Sequence, residues 1–200
     1  MITLYDNLSS GNAYKVRLLL ALLGIPVRRI EMDTYAGATR TPDFLAKNPN
    51  GRVPLVELED GALLAESNAI AFYFAEGTPY WPESRIDRAR VLQWMFFEQY
   101  SHEPYIAVVR SWVTHPPLTP ERQAQLADKT ARGYAALDVM ESHLKARRYF
   151  VGERPTIADI ALYAYTHVAE EGGFELGRYP AVRAWLARIA GAPGHIPITA

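Results

Sequence analysis

Ile2 to Tyr5 is a short β-prone run, and Asp6 to Asn12 after it is rich in the Asn, Ser and Gly that favour turns. Leu and Ala then dominate Ala13 to Leu23, a helical stretch closed by Gly24 and Pro26. Val27 to Met32 is β-branched and alternating enough to form a second strand. Strand, loop, helix and strand in that order predict a right-handed βαβ unit with parallel strands.

Thr41-Pro42 pairs a capping residue with proline at the first helical position, predicting a short helix to about Lys47. Val53 to Leu58 and Ala62 to Ala65 read as strands joined through Glu59-Asp60-Gly61, and Asp-Gly is a strong hairpin signal. Ser67 is expected to cap a helix that places Ile70, Tyr73 and Phe74 on one face. After the Pro-rich stretch Gly77 to Ser84 only helical periods remain. Arg88 to Tyr100 is aromatic-rich, and Pro104 is expected to end or kink it before Tyr105 to Trp112. Leu126 to Leu144 follows a period near 3.6; Thr156 caps a helix that turns Ile157, Ile160, Ala161, Ala164 and Val168 inward; Val182, Trp185, Leu186 and Ile189 mark the last helix. The pattern predicts an α/β domain over residues 1–77, a linker over 78–84 and an all-helical domain over 85–200.

Composition narrows the chemistry. Hydrophobic residues are 49% of the chain, ample for a packed core and too many for disorder. Lys and Arg number 21 against 22 Asp and Glu, and the halves divide 7 against 9 up to Gly77 and 14 against 13 beyond it. Neither half is polarised, so no nucleic acid and no anionic membrane is expected as a partner. With no cysteine, the chain has no disulfide, no thiolate metal site and no cysteine nucleophile. Met1 to Asp6 enters a strand directly, without a basic leader, and Val16 to Leu23 is too short to cross a bilayer and carries Arg17. A cytoplasmic protein is the expectation. His102, His115, His143, His167 and His195 show no metal-ligand spacing, and no metal is expected.

The order βαβ–α–ββα, a Pro-rich linker and a helical bundle resembles the glutathione transferase family. Four local matches carry the resemblance: YDNLSSGNAYKVRLLLALLGIP, NPNGRVPLVELEDG, AESNAI and RPTIADI. Ser10 to Gly24 looks most like the bacterial nu-like members, with Asn12 where beta-class members place cysteine and Ala13 where theta-like members place serine. The resemblance implies a thioredoxin-like N-terminal domain holding glutathione as cosubstrate, and an all-helical C-terminal domain lining the site of a small hydrophobic electrophile. A homodimer is implied as well.

The residues permit this reading. A free thiol has a pKa of about 8.5, and each unit of depression needs about 1.4 kcal/mol of preferential thiolate stabilisation. Hydroxyl and amide dipoles at a helix N-terminus can supply it. Ser10 and Asn12 stand at the start of the first helix, with Ser9 as a rival. As structure alone, Ser10 is an N-cap and Asn12 a loop former; the resemblance makes both thiol contacts. Val53-Pro54 alone suggests an ordinary trans proline, whereas the family's proline is cis and turns the preceding backbone toward glutathione. Arg52 stands where members often carry Gln, a departure within the glutathione contacts. Glu66 suits the γ-glutamyl ammonium, Ser67 and its helix N-terminus suit the carboxylate, and Arg40 is a candidate for the glycyl carboxylate. Thr156-x-x-Asp159 reads as a structural capping box. Phe97, Tyr100, His102, Tyr105 and Trp112 form an aromatic cluster of core type, from which the resemblance selects Tyr105 and Trp112 as the electrophile wall. The expected reaction is conjugation. Glutathione-dependent disulfide or peroxide reduction, or a binding module without catalysis, are the alternatives.

Overall fold

In the computed structural model, which describes residues 1–200, β1 (Ile2–Asp6) lies inside a four-stranded sheet ordered β2-β1-β3-β4. β2 (Val27–Glu31) runs parallel to β1, with Ile2 opposite Val27, so a crossover helix must join them; α1 (Gly11–Leu22) is that helix. β3 (Leu55–Glu57) and β4 (Leu63–Ala65) complete the sheet as an antiparallel hairpin, Leu55 opposite Ala65. The hairpin turns at Gly61, whose φ of +85° is open to glycine at little cost. β3 is shorter than the expected Val53–Leu58 run because Pro54 has no N–H for the ladder. α2 (Pro42–Lys47) is capped by the Thr41 hydroxyl, which accepts from the Phe44 N–H.

Val16 and Leu20 of α1 pack with Leu4 of β1, Val56 of β3 and Ile70 of α3 (Ser67–Ala75). Fully burying each such side chain contributes about 1.5–3 kcal/mol, so this cluster fixes α1 and α3 against the sheet. At the start of α3 the cap differs from expectation: Glu66 occupies the N-cap and Ser67 is the first helical residue.

The chain divides into two compact units, Met1–Thr78 with Pro193–Ala200, and Pro79–Ala192. The tail from Pro193, which the sequence reading gave to the helical half, belongs to the first unit. The buried Arg17 explains why: its guanidinium donates to the carbonyls of Leu8, Ile198 and Ala200 at 2.8, 3.0 and 2.7 Å. The Tyr14 hydroxyl donates to the Ile196 carbonyl at 2.6 Å, and Arg29 also reaches the Ala200 carbonyl at 2.7 Å. Asp6, fully buried, faces Arg17 at 3.1 Å and Arg29 at 2.8 Å. Burial raises its pKa despite the two guanidiniums, and burial likewise lowers that of Arg17.

The second unit is helical throughout: α4 (Arg85–Phe97), α5 (Glu103–Thr114), α6 (Pro120–Leu144), α7 (Ile157–Thr166) and α8 (Pro180–Ala190). Pro104 does not break the path between α4 and α5; a π turn over Glu98–His102 absorbs the irregularity just before it. At α7 both halves of the capping box form. The buried Asp159 accepts from the Thr156 N–H at 2.8 Å, the Phe150 N–H at 3.1 Å and the Trp185 indole at 2.9 Å. No helix is long and apolar enough to cross a membrane.

Candidate functional site

Ser10 caps α1. Its hydroxyl oxygen accepts from the Ala13 N–H at 3.3 Å, and its proton has no acceptor within the protein. Capping and donation are thus compatible: a hydroxyl has two lone pairs and one proton, and the cap uses only a lone pair. Ser9 is placed differently. It is exposed, and its hydroxyl donates to the Asn7 carboxamide oxygen at 2.7 Å.

Asn12 lies in the first turn of α1, and its carboxamide oxygen accepts from the Ser67 hydroxyl at 3.3 Å. Residues 55 apart in sequence meet here because α1 and α3 pack on one face of the sheet. Its oxygen is thus an acceptor for Ser67, and the NH₂ group is the donor end of the Asn12 side chain. Ser67 is buried, and Lys15 on the next turn of α1 approaches its oxygen to 3.5 Å from a wholly buried position. Sequence reasoning passed over Lys15, although a charge inside an otherwise apolar helix stretch was the available signal.

Glu66 is the only non-glycine residue with positive φ, at φ 68° and ψ 112°. Such a conformation costs about 1–3 kcal/mol and survives only where its surroundings hold it. Its carboxylate is exposed, makes no ion pair and stands directly before the uncapped N-terminus of α3. An exposed acid beside a helix N-terminus presents acceptor and donors side by side, suited to a ligand carrying ammonium and carboxylate on one carbon.

The Val53-Pro54 peptide is cis. The loop before it is organised by Asn48, a buried residue that the sequence analysis did not single out. Its amide donates to the Arg52 carbonyl at 2.8 Å and its oxygen accepts from the Asn50 N–H at 3.2 Å. The repeated Asn of Asn48-Pro49-Asn50-Gly51 was the signal for such a turn. Arg40 lies over this loop and donates to the Asn50 carbonyl at 3.2 Å. Gly51, at φ +62°, makes room for it, since a Cβ there would meet the Arg40 guanidinium at 2.5 Å. The Arg40 and Arg52 side chains are both exposed.

The first unit thus joins Asn12 to Ser67, with Ser10 capping the same helix as Asn12 and Glu66 just before Ser67, while Arg52, Val53 and Pro54 share a second loop that Arg40 overlies. Tyr105 and Trp112 lie in the helical unit, seven residues apart on α5, both half-buried. No group of three or more His, Asp or Glu side chains is placed to share a metal ion.

Comparison with known proteins places the chain in a family. Residues 1–76 match the profile described as the glutathione S-transferase N-terminal domain, and residues 94–193 that of the C-terminal domain. A crystal structure of a glutathione S-transferase from Pseudomonas fluorescens is 51% identical, superposes with a TM-score of 0.97, and is covered to 99% by all of this chain. Among curated proteins, the glutathione S-transferase-like protein LUC7 of a Fusarium species is 34% identical over 92% of this chain and 86% of its own length. The maleylacetoacetate isomerase of Rhizobium meliloti is 32% identical over 94% and 91% respectively. A structure of Ure2p in complex with glutathione is 25% identical with a TM-score of 0.86, covering 96% of this chain and 90% of that one. In its thioredoxin-like first unit, its helical second unit and its sequence, the chain belongs to the glutathione S-transferase family.

Proposed function

We propose that the protein conjugates glutathione to a small apolar electrophile through a thiolate stabilised at the N-terminus of α1. The observation that carries this reading is the Ser10 hydroxyl, its oxygen fixed by the Ala13 N–H and its proton uncommitted. Ser10 donates that proton as a hydrogen bond to the glutathione sulfur, and the Asn12 NH₂ adds a second donor. A hydrogen bond to a charged acceptor is worth about 1.5–3 kcal/mol, or one to two pKa units of a thiol. The sulfur then attacks the electrophilic carbon and the leaving group departs with the displaced electron pair. The protein supplies orientation and charge stabilisation, while the nucleophile belongs to the cosubstrate.

The remaining roles follow from the same first unit. Glu66 takes the γ-glutamyl ammonium, Ser67 with the open start of α3 takes the carboxylate, and the Val53 backbone beside Pro54 meets the cysteinyl segment. Arg40 and Arg52 take the glycyl carboxylate. Tyr105 and Trp112 contact the electrophile. The protein works in the cytoplasm as a two-fold homodimer, a reading supported by exposed apolar side chains on α3 (Tyr73) and on α4 (Ile86 and Phe96).

The deciding experiment measures chloronitrobenzene conjugation and hydroxyethyl-disulfide reduction side by side, each with glutathione, alongside calorimetry with glutathione alone. Conjugation with saturable glutathione binding is expected. Disulfide reduction without conjugation would replace the reaction, and no heat at millimolar glutathione would remove the reading altogether. Sedimentation equilibrium giving the mass of a single chain at micromolar protein would reject the dimer.

A further inference from the structure

The aromatic pair on α5 is roofed by cations from α6. Lys129 Nζ stands 5.6 Å from the ring centre of Tyr105 and 5.5 Å from that of Trp112. The Arg122 guanidinium lies 5.8 Å from Trp112, and that of Arg132 lies 5.7 Å from Tyr105 and 3.5 Å from its hydroxyl. The spacing is helical on both sides. Tyr105 and Trp112 are two turns apart on α5, as Arg122 and Lys129 are on α6, so each pair shares one face of its helix.

Two of these three charges are not cancelled. Arg132 is paired with Asp128 at 2.9 Å and Arg110 with Glu171 at 2.7 Å. Glu103 accepts from the Gln99 amide at 2.9 Å. Glu121 is held at the start of α6 by its own N–H and the Thr119 hydroxyl, which keep its carboxyl below the usual range. Arg122 and Lys129 form no salt bridge, and the Lys129 ammonium donates to the Pro104 carbonyl at 3.4 Å. The ring faces hold both cations in position without neutralising them.

We propose that the molecule taken by this face is flat and apolar but carries an anionic substituent, such as an aryl carboxylate. Its carboxylate meets Lys129 and the planar fork of Arg122, and its ring packs beside Tyr105 and Trp112 where the cations do not cover them. For its chemistry the proposal rests on the transferase reading, and it narrows the electrophile from apolar to apolar with a negative charge.

The test compares a chloronitrobenzoate with the matching chloronitrobenzamide, each enzymatic rate divided by its uncatalysed rate with glutathione. The benzoate is expected to lead by about tenfold in kcat/KM, the size of one charge-assisted contact. Added salt is expected to shrink that lead. Lys129→Met and Arg122→Gln should each cut the preference about threefold or more, while Lys145→Met, beyond the far end of α6, leaves it in place. No preference in the parent, or one that both substitutions leave untouched, overturns the proposal. Melting curves establish that each variant folds. Titration of tryptophan fluorescence with the benzoate alone separates the two readings. Quenching that depends on Lys129 without any conjugation keeps the anion site and removes the transferase chemistry. Conjugation without a Lys129-dependent preference keeps the chemistry and removes the anion site.

Discussion

The Ser67 hydroxyl donates to the Asn12 carboxamide oxygen across 3.3 Å, tying the first turn of α3 to the first turn of α1. In the proposed site, the end that binds carboxylate and the end that binds sulfur therefore share one hydrogen bond. Ser67→Ala is expected to weaken glutathione binding and also to lower turnover, because Asn12 loses the partner that orients it. Each effect should be about threefold to tenfold, matching a net hydrogen bond of about 0.5–1.5 kcal/mol. Calorimetry and kcat measured on one preparation check this; a variant that loses binding but keeps full kcat would uncouple the two ends.

Ser10→Ala should lower turnover by about one to two orders of magnitude while glutathione binding stays nearly intact. The change also removes the cap of α1, at about 1 kcal/mol of stability, so rates belong well below the melting point. The pH profile separates the roles: loss of thiolate stabilisation raises the apparent pKa of bound glutathione, and the rate partly recovers at higher pH. An unshifted profile with full turnover in Ser10→Ala, beside loss of both in Asn12→Ala, would move the main role to Asn12.

Glu66 pairs strain with exposure, and the two can be separated. Glu66→Gly relieves the positive φ and should raise stability by about 1 kcal/mol, yet it removes the carboxylate proposed to meet the γ-glutamyl ammonium. Glutathione should then bind about tenfold or more weakly, as for loss of a charge-assisted contact. Glu59→Ala, in the hairpin turn, should do neither. A stabilised Glu66→Gly with unchanged affinity would make Glu66 a backbone device only.

Burial pushes the Asp159 carboxyl from its ordinary 3.8 up to about 6, against the donors from Thr156, Trp185 and Phe150. Between those two values the folded protein keeps a proton that the unfolded chain has released. Raising the pH through that window therefore costs stability, about 2–3 kcal/mol in all. Asp159→Asn cannot titrate. The stability of the parent relative to this variant should fall between about pH 4 and 6 and then level off, as read from denaturant melts. A flat difference across that range would count against the assignment.

Much of this molecule was legible in its sequence. The parallel βαβ opening, the Asp60-Gly61 hairpin, the Thr41 cap and the Thr156–Asp159 box all arise from neighbouring residues, where local chemistry decides. What escaped depended on contacts between distant parts of the chain. Ser67 reads as a cap, but packing sets Glu66 in the cap position at positive φ and leaves Ser67 to face Asn12. Lys15 and Asn48 gain their meaning only once α1 meets α3 and the loop before β3 closes. The cations over Tyr105 and Trp112 come from another helix, and no period within α5 announces them.

The tail from Pro193 to Ala200 bears on how the protein is made. A ribosome releases β1, α1 and the rest of the first unit early, yet two of the three carbonyls that Arg17 reaches, and the Ile196 carbonyl that Tyr14 reaches, come from residues translated only after the whole helical unit. Until then α1 carries a guanidinium and a phenol that lack part of their final set of partners, and polar groups are costly to bury with bonds unmade. The nascent first unit is thus expected to stay loose in the cell until the tail returns to it. A fragment ending at Thr78 should behave as that waiting intermediate, open to proteases where the complete chain resists them.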